Sequence, residues 1–323
     1  METSVPGSSQ WWSGMSEDHR AVSTVADAAL AIVLIVAAMG VLVAFVESDD
    51  REHDPIKSEH TAQTVTASTM NTTYNVSDAV DHLDENYSYY SPYEGDQLER
   101  VSHGAVGTQV ADVAVANIAL AGQQVSREAE DYEAVLDEQL QAALVDSQFD
   151  TQISAYWTPL DGVGIEGVAE IGQTPPHDAD VSTTTVTVAS GFPDASESAL
   201  AATNNDTDYR SVAEAVADAT VEGYLPELES QRALESSGLD YLLTTYRYNR
   251  FANVLVGHTD DLEQYLTPFE ANASAANEYL SAQLTDELAE QLESLHGDVY
   301  GSSDDAGESV SISEVTITVR TWT

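Results

Sequence analysis

The sequence predicts an α+β protein: an N-terminal transmembrane helix followed by one extracytoplasmic domain, whose small, mostly antiparallel sheet has several helices inserted between its strands. Three observations carry that reading. Ala28–Val46 is an apolar run of 19 residues without charge, Pro, Asn or Gln. After it, Val- and Thr-rich stretches alternating with period two stand early, midway and late, with stretches of helical period between them. Hydrophobic residues make up 42% of the 323, enough for the body to bury a core.

At about 1.5 Å per residue the apolar run matches the roughly 30 Å of a bilayer's hydrocarbon core. A polar leader ending in Arg20-Ala21 precedes it, and Glu47, Asp49, Asp50 and Glu52 follow. That asymmetry predicts a cell-membrane protein with a cytoplasmic N-terminus and an extracellular C-terminal domain. A secretory signal peptide fits poorly. The run exceeds the usual h-region of about 7–15 residues, and no small-residue cleavage site with polar flanks follows Val46. Two readings remain: an unprocessed single-pass anchor, or a segment that is cut before its apolar part and kept.

Residues within the run bear on that choice. Gly40 and Ala44 form a small-x-x-x-small pair that lets helices approach closely in lipid, although alanine and glycine are also common in helices that merely anchor. Asp27 sits at the entrance, where an unpaired carboxylate costs a few kcal/mol if it is drawn into hydrocarbon. Either it pairs with a cation in an assembly, or it stays solvated among headgroups and marks the helix boundary.

Arg20-Ala21-Val22-Ser23 followed by an apolar helix resembles the R-A-V-S-P-V-I-G opening of archaeal type IV pilins, those of halophiles in particular. The resemblance implies a class III signal peptide: a prepilin peptidase would cut between Ala21 and Val22, removing leader 1–21 and leaving 22–46 as the transmembrane and assembly helix. It also implies partners, namely the membrane, the peptidase and other pilin-like subunits. Bacterial pilins place a glutamate near the start of the mature helix, and by resemblance Asp27 would neutralise the new α-amine of a neighbouring Val22. Thr24 stands where proline is frequent and Ala26-Asp27 where Ile-Gly is frequent, departures that favour a minor component over the repeating subunit. The stretch YRSVAEAVADATVEGYLPELESQRAL (209–234) and RYNR (247–250) resemble a large family of membrane-anchored haloarchaeal proteins. That resemblance implies no activity.

Residues 47–60 are charged and hold Pro55, which reads as an acidic stalk before the body, 61–323. Residues 61–76, rich in Thr and Val, predict a strand. Tyr87, Tyr89, Tyr90 and Tyr93 near Pro92 and Gly95 predict a surface loop, with a sugar-binding patch as the functional alternative to simple packing. From 106 to 145 the period is helical, through Val106, Val110, Val113, Asn117 and Leu120, then Leu136, Leu140 and Leu144 beyond Gly122. Residues 153–159 lead into a Gly-rich connection, and 182–191 alternate as a strand. Helical stretches follow at 208–223, 236–256 and 259–296, the last interrupted by Pro268. Residues 309–322 are the strongest strand signal, with a phase change at Ser313-Glu314 that predicts a bulge.

Charge bounds function. Fifty-six acids face ten bases, a net charge of −46, and Lys57 is the sole lysine. The acids are spread along the whole chain, so they report a high-salt habitat, where repulsion is screened, and not a tail. Nucleic acid is excluded as a partner for want of a basic patch. There is no cysteine, hence no disulfide, lipid-modified Cys or thiolate site. The eight histidines form no metal-binding spacing, and no nucleophile elbow or phosphate loop is present. The sequence therefore assigns no catalytic residue, metal or cofactor, and with so many acids no carboxylate pair can be singled out for glycoside hydrolysis. Asn71, Asn75, Asn86, Asn205 and Asn272 open N-x-[ST] sequons, candidate glycosylation sites if the body is external. The resulting expectation is a non-enzymatic, pilin-like or minor-pilin subunit of an archaeal surface filament or related machine. The alternative is an unprocessed envelope protein whose external domain binds a ligand or surface polymer.

Overall fold

A computed structural model describes residues 63–81 except 65, then 93, 95–144, 150–203, 208–236, 238–268 and 270–322. The expected leader 1–21, transmembrane helix 22–46 and stalk 47–60 fall on residues outside those described, as do Tyr87, Tyr89 and Tyr90. Among the described residues no helix is long and apolar enough to cross a membrane.

The body is α+β, and among the described residues its strands pair antiparallel. Strands β1 (Thr69–Asn75) and β2 (Glu99–Ala105) form a two-stranded ribbon, with the short helix α1 (Ser77–Asp81) and a 3-10 turn between them. Helix α2 (Val106–Ala116) runs directly out of β2. A small hairpin, β3 (Ala119–Leu120) and β4 (Gln123–Gln124), leads to α3 (Glu130–Leu144). Strands β5 (Asp150–Trp157), β6 (Ile165–Gly172), β7 (Ser182–Ala189) and β8 (Glu314–Trp322) complete a six-stranded sheet in the order β4-β3-β6-β5-β8-β7. Between β7 and β8 come α4 (Ser196–Ala202), α5 (Arg210–Tyr224), α6 (Glu227–Leu234), α7 (Leu239–Val256), α8 (Glu263–Leu266), α9 (Ala273–Leu295) and α10 (Ser303–Glu308).

One face of the sheet makes the core. Ile153, Ala155 and Trp157 of β5 stand beside Ile171, Ala169 and Gly167 of β6 and beside Val319 and Ile317 of β8. The large members of this set are at most 2% exposed. Helix α2 lies against it so closely that a Cβ at Gly167 would stand 2.2 Å from the Ala114 carbonyl oxygen. Helices α5 and α9 pack on each other through Val212, Val216, Leu280, Leu284 and Leu288, all essentially inaccessible.

The structure differs from the sequence expectation in several places, beginning with the strand expected over 61–76, which starts only at Thr69. The helical run predicted over 106–145 is two helices parted by a hairpin. Ala121 (φ 49°) and Gly122 (φ 75°) both take positive φ, which is the geometry a two-residue hairpin turn requires. The Gly-rich connection after 159 holds a full strand, β6, whose Gly167 is present because α2 leaves no room for a side chain. The predicted bulge at Ser313-Glu314 is the start of β8 itself; Val310 and Ile312 are buried in a turn after α10, which explains the change of phase. Strand β2 and helices α1, α4, α6 and α10 have no counterpart in the sequence expectation. Pro268 does separate α8 from α9, and Asn272 caps α9, its side chain accepting from the Ala275 N–H at 3.1 Å.

Candidate functional site

Among the described residues no helix packs over the centre of the sheet's second face. Register fixes three transverse rows on it, running from β6 through β5 and β8 to β7: Gly172, Gln152, Arg320, Thr183; then Glu170, Ser154, Thr318, Thr185; then Val168, Tyr156, Thr316, Thr187. Tyr156 is 47% exposed and Val168 40%; Thr183, Thr185, Thr187 and Thr316 are exposed. Glu170 and Arg320 are the only charged members. Arg320 is turned onto its neighbour, donating to Gln152 Oε1 at 3.1 Å. Partial burial, and then the nearby Glu166 carboxylate, raise the Tyr156 phenol above its usual range, so it remains a neutral donor. Chemically the face offers hydroxyls and one aromatic ring for contact and hydrogen bonding, with Glu170 and Arg320 among them.

The edges of the two sheets are treated differently. Helix α3 stands between β1 and β6 and serves both with side chains. On one side Asp131 accepts from the Asn75 N–H at 2.5 Å, and Gln139 accepts from the Thr72 hydroxyl at 3.2 Å. On the other, Glu133 accepts from the Glu170 N–H at 2.7 Å and Asp137 from the Gly172 N–H at 2.6 Å, while Asn117 donates to the Val168 carbonyl at 3.1 Å. Backbone groups that would otherwise invite another strand are thereby satisfied. β2 carries Glu99, Arg100 and His103. β7 has β8 on one side and, among the described residues, no strand on the other.

A model of a family of unknown function, DUF7284, matches residues 26–322. The chain belongs to this family. No curated protein and no solved structure matches it. The DUF7284 match begins two residues before the apolar run Ala28–Val46 and ends on the last residue of β8, so the family unit includes that run together with the whole described body.

Within this DUF7284 body the sequon residues do not converge. Asn71 lies exposed on β1; Asn75 ends β1, with Oδ1 accepting from the Ser77 N–H at 2.7 Å; Asn272 is exposed at the head of α9. Asn86 and Asn205 lie outside the described residues, as do Arg20, Ala21, Val22, Asp27, Gly40 and Ala44. Among the described residues no group of three His, Asp or Glu side chains is placed to hold a metal.

The RYNR stretch, noted only as a likeness, is a clip in α7. Arg247 makes a two-pronged bond to Glu128, Nε to Oε1 at 2.9 Å and an Nη to Oε2 at 2.5 Å. Arg250 donates to the carbonyls of Val125 and Gln124 at 3.2 and 3.1 Å, and Tyr248 donates to Asn277 Oδ1 at 2.5 Å. The Glu128 carboxylate holds the Arg247 guanidinium firmly protonated, and burial pushes the Tyr224 and Tyr248 phenols up. Sequence alone could not assign these partners, since more than a hundred residues separate each arginine from the segment it binds. The outer-face rows were missed for a related reason: β6 was not read as a strand, and register is a tertiary property.

Proposed function

We propose that the chain is a pilin-like, non-enzymatic subunit, a minor component of an archaeal surface filament or related machine. Its helix 22–46 would anchor it in the membrane and then pack against neighbouring subunits, with its acidic body outside the cell. The observation that carries this reading is the patch of exposed hydroxyls at the β7 side of the outer face, Thr183, Thr185, Thr187 and Thr316, in a chain with 56 acids. In such a chain an uncharged surface of hydroxyls is where another molecule can dock without like-charge repulsion. The Arg20-Ala21-Val22 opening supports the same reading, and so does a family unit that joins the apolar segment to the body.

The test is the mature N-terminus of membrane-extracted protein, by intact mass and N-terminal peptide sequencing in molar salt. A start at Val22, lost when Ala21 is replaced by Trp while membrane insertion persists, is the expected result. A start near Met1 overturns processing and leaves the second reading, an anchored envelope protein. For that reading Tyr156, half exposed between Val168 and Thr316, offers the aromatic platform on which a surface polymer would stack.

A further inference from the structure

We infer that the outward edge of β7, which no strand meets among the described residues, pairs with the β7 edge of a second copy of this chain, antiparallel about a twofold axis at Thr185. The inference rests on the assembly role proposed above for the presence of neighbouring copies, and deepens it by naming the contact.

Hydrogen-bond parity shows which groups are on offer. The Ser190 N–H donates to the Ser313 carbonyl at 2.9 Å, so even-numbered residues of β7 turn their backbone groups toward β8. Thr183, Thr185, Thr187 and Ala189 therefore point theirs outward. The same alternation carried across the sheet predicts outward groups at Val168, Glu170 and Gly172 on β6, and those are the ones met by Asn117, Glu133 and Asp137. One side of the sheet is thus closed by side chains. The other presents eight residues, Ser-Thr-Thr-Thr-Val-Thr-Val-Ala, with no charge, Pro or Gly.

A second copy fits this edge in its side chains and its charges. With the axis at Thr185, Thr183 faces Thr187 of the other copy and Thr185 faces itself, a ladder of threonine pairs of a kind that stabilises cross-strand contacts. Each of these three pairs exchanges two backbone bonds, about six in all. The register also sorts the flanking acids: Asp180 falls opposite Ser190 and Asp194 opposite Pro176, so no carboxylate meets another across the joint. Two chains of charge −46 can approach here as they could along few other strands. The outer-face rows then continue from one sheet into the next.

The absence of native cysteine makes the test direct. Full-length chain in detergent and molar KCl carries one introduced thiol and is exposed to mild oxidant. Thr185→Cys is expected to form a disulfide homodimer, because residues in a hydrogen-bonded antiparallel pair lie about 5.5 Å apart at Cα, within disulfide range. Thr183→Cys and Thr187→Cys alone should cross-link at least tenfold less, since the axis separates like residues by roughly 14 Å. Mixing those two variants should restore the cross-link. Silence of Thr185→Cys together with silence of the mixture overturns the inference, as does equal cross-linking at all three sites or capture of a different protein. The result is separable from processing. A Thr185 cross-link in a chain that starts near Met1 keeps the edge and loses the pilin reading; no cross-link in a chain that starts at Val22 does the reverse.

Discussion

At the residue scale several of the described arginines are long-range ties. Arg247 joins α7 to the segment before α3, Arg100 reaches Asp240 at 3.1 Å, and Arg210 reaches Asp286 at 2.7 Å. They differ in worth because they differ in solvation. The Arg210 and Asp286 side chains are each more than 60% exposed, whereas Glu128 keeps only 10% of its accessibility against 40% for Arg247. Removing Arg247 leaves a carboxylate largely cut off from water and without its cation. Arg247→Gln should therefore cost about 2 kcal/mol, between the surface and fully buried limits, and Arg210→Gln no more than about 0.5 kcal/mol. Urea unfolding at fixed molar KCl measures both, and equal losses would show that the clip is only a surface pair.

At the element scale, α3 is an edge guard whose carboxylates stand in for missing strands. Glu133→Ala removes the acceptor for the Glu170 N–H and the 2.9 Å partner of Asn117. It should cost about 1–2 kcal/mol and accelerate amide exchange at Glu170, with Gly172 following only when Asp137→Ala is added; unchanged exchange would mean the edge is protected by something other than these side chains. This device also marks the limit of what the sequence shows. β7, the late strand from Glu314, the long helices and the break at Pro268 could be read because period two, period 3.6 and proline act locally. The two-residue β3 and β4 are too short to carry a period. β6 holds Gly167 for a steric reason that becomes visible only once Ala114 is placed against it. The candidate face needed the register of four strands, so its members, Tyr156 and the threonines of β7 and β8, carried no signal of their own in the chain.

At the scale of the whole molecule, charge governs the conditions under which the fold holds. Screening at molar salt shortens the Debye length to about 3 Å from about 10 Å at 0.1 M. A chain with net charge −46 should therefore melt on the order of 10 °C lower at 0.1 M than at 2–3 M KCl, as followed by circular dichroism; a melting temperature indifferent to KCl would remove the high-salt reading. The order of strands has a temporal consequence as well. β8 follows every other strand, yet it lies between β5 and β7. β7 is complete at Ala189, and β8 begins 125 residues later at Glu314. At roughly 5–20 residues per second, that leaves β7 waiting about 6–25 s for its partner during synthesis. Until then its uncharged backbone is exposed on both sides, so a nascent body needs to be kept extended or held by a chaperone. Its outward edge becomes a single, defined surface only once residues 314–322 arrive, which ties readiness to assemble to completion of the sheet.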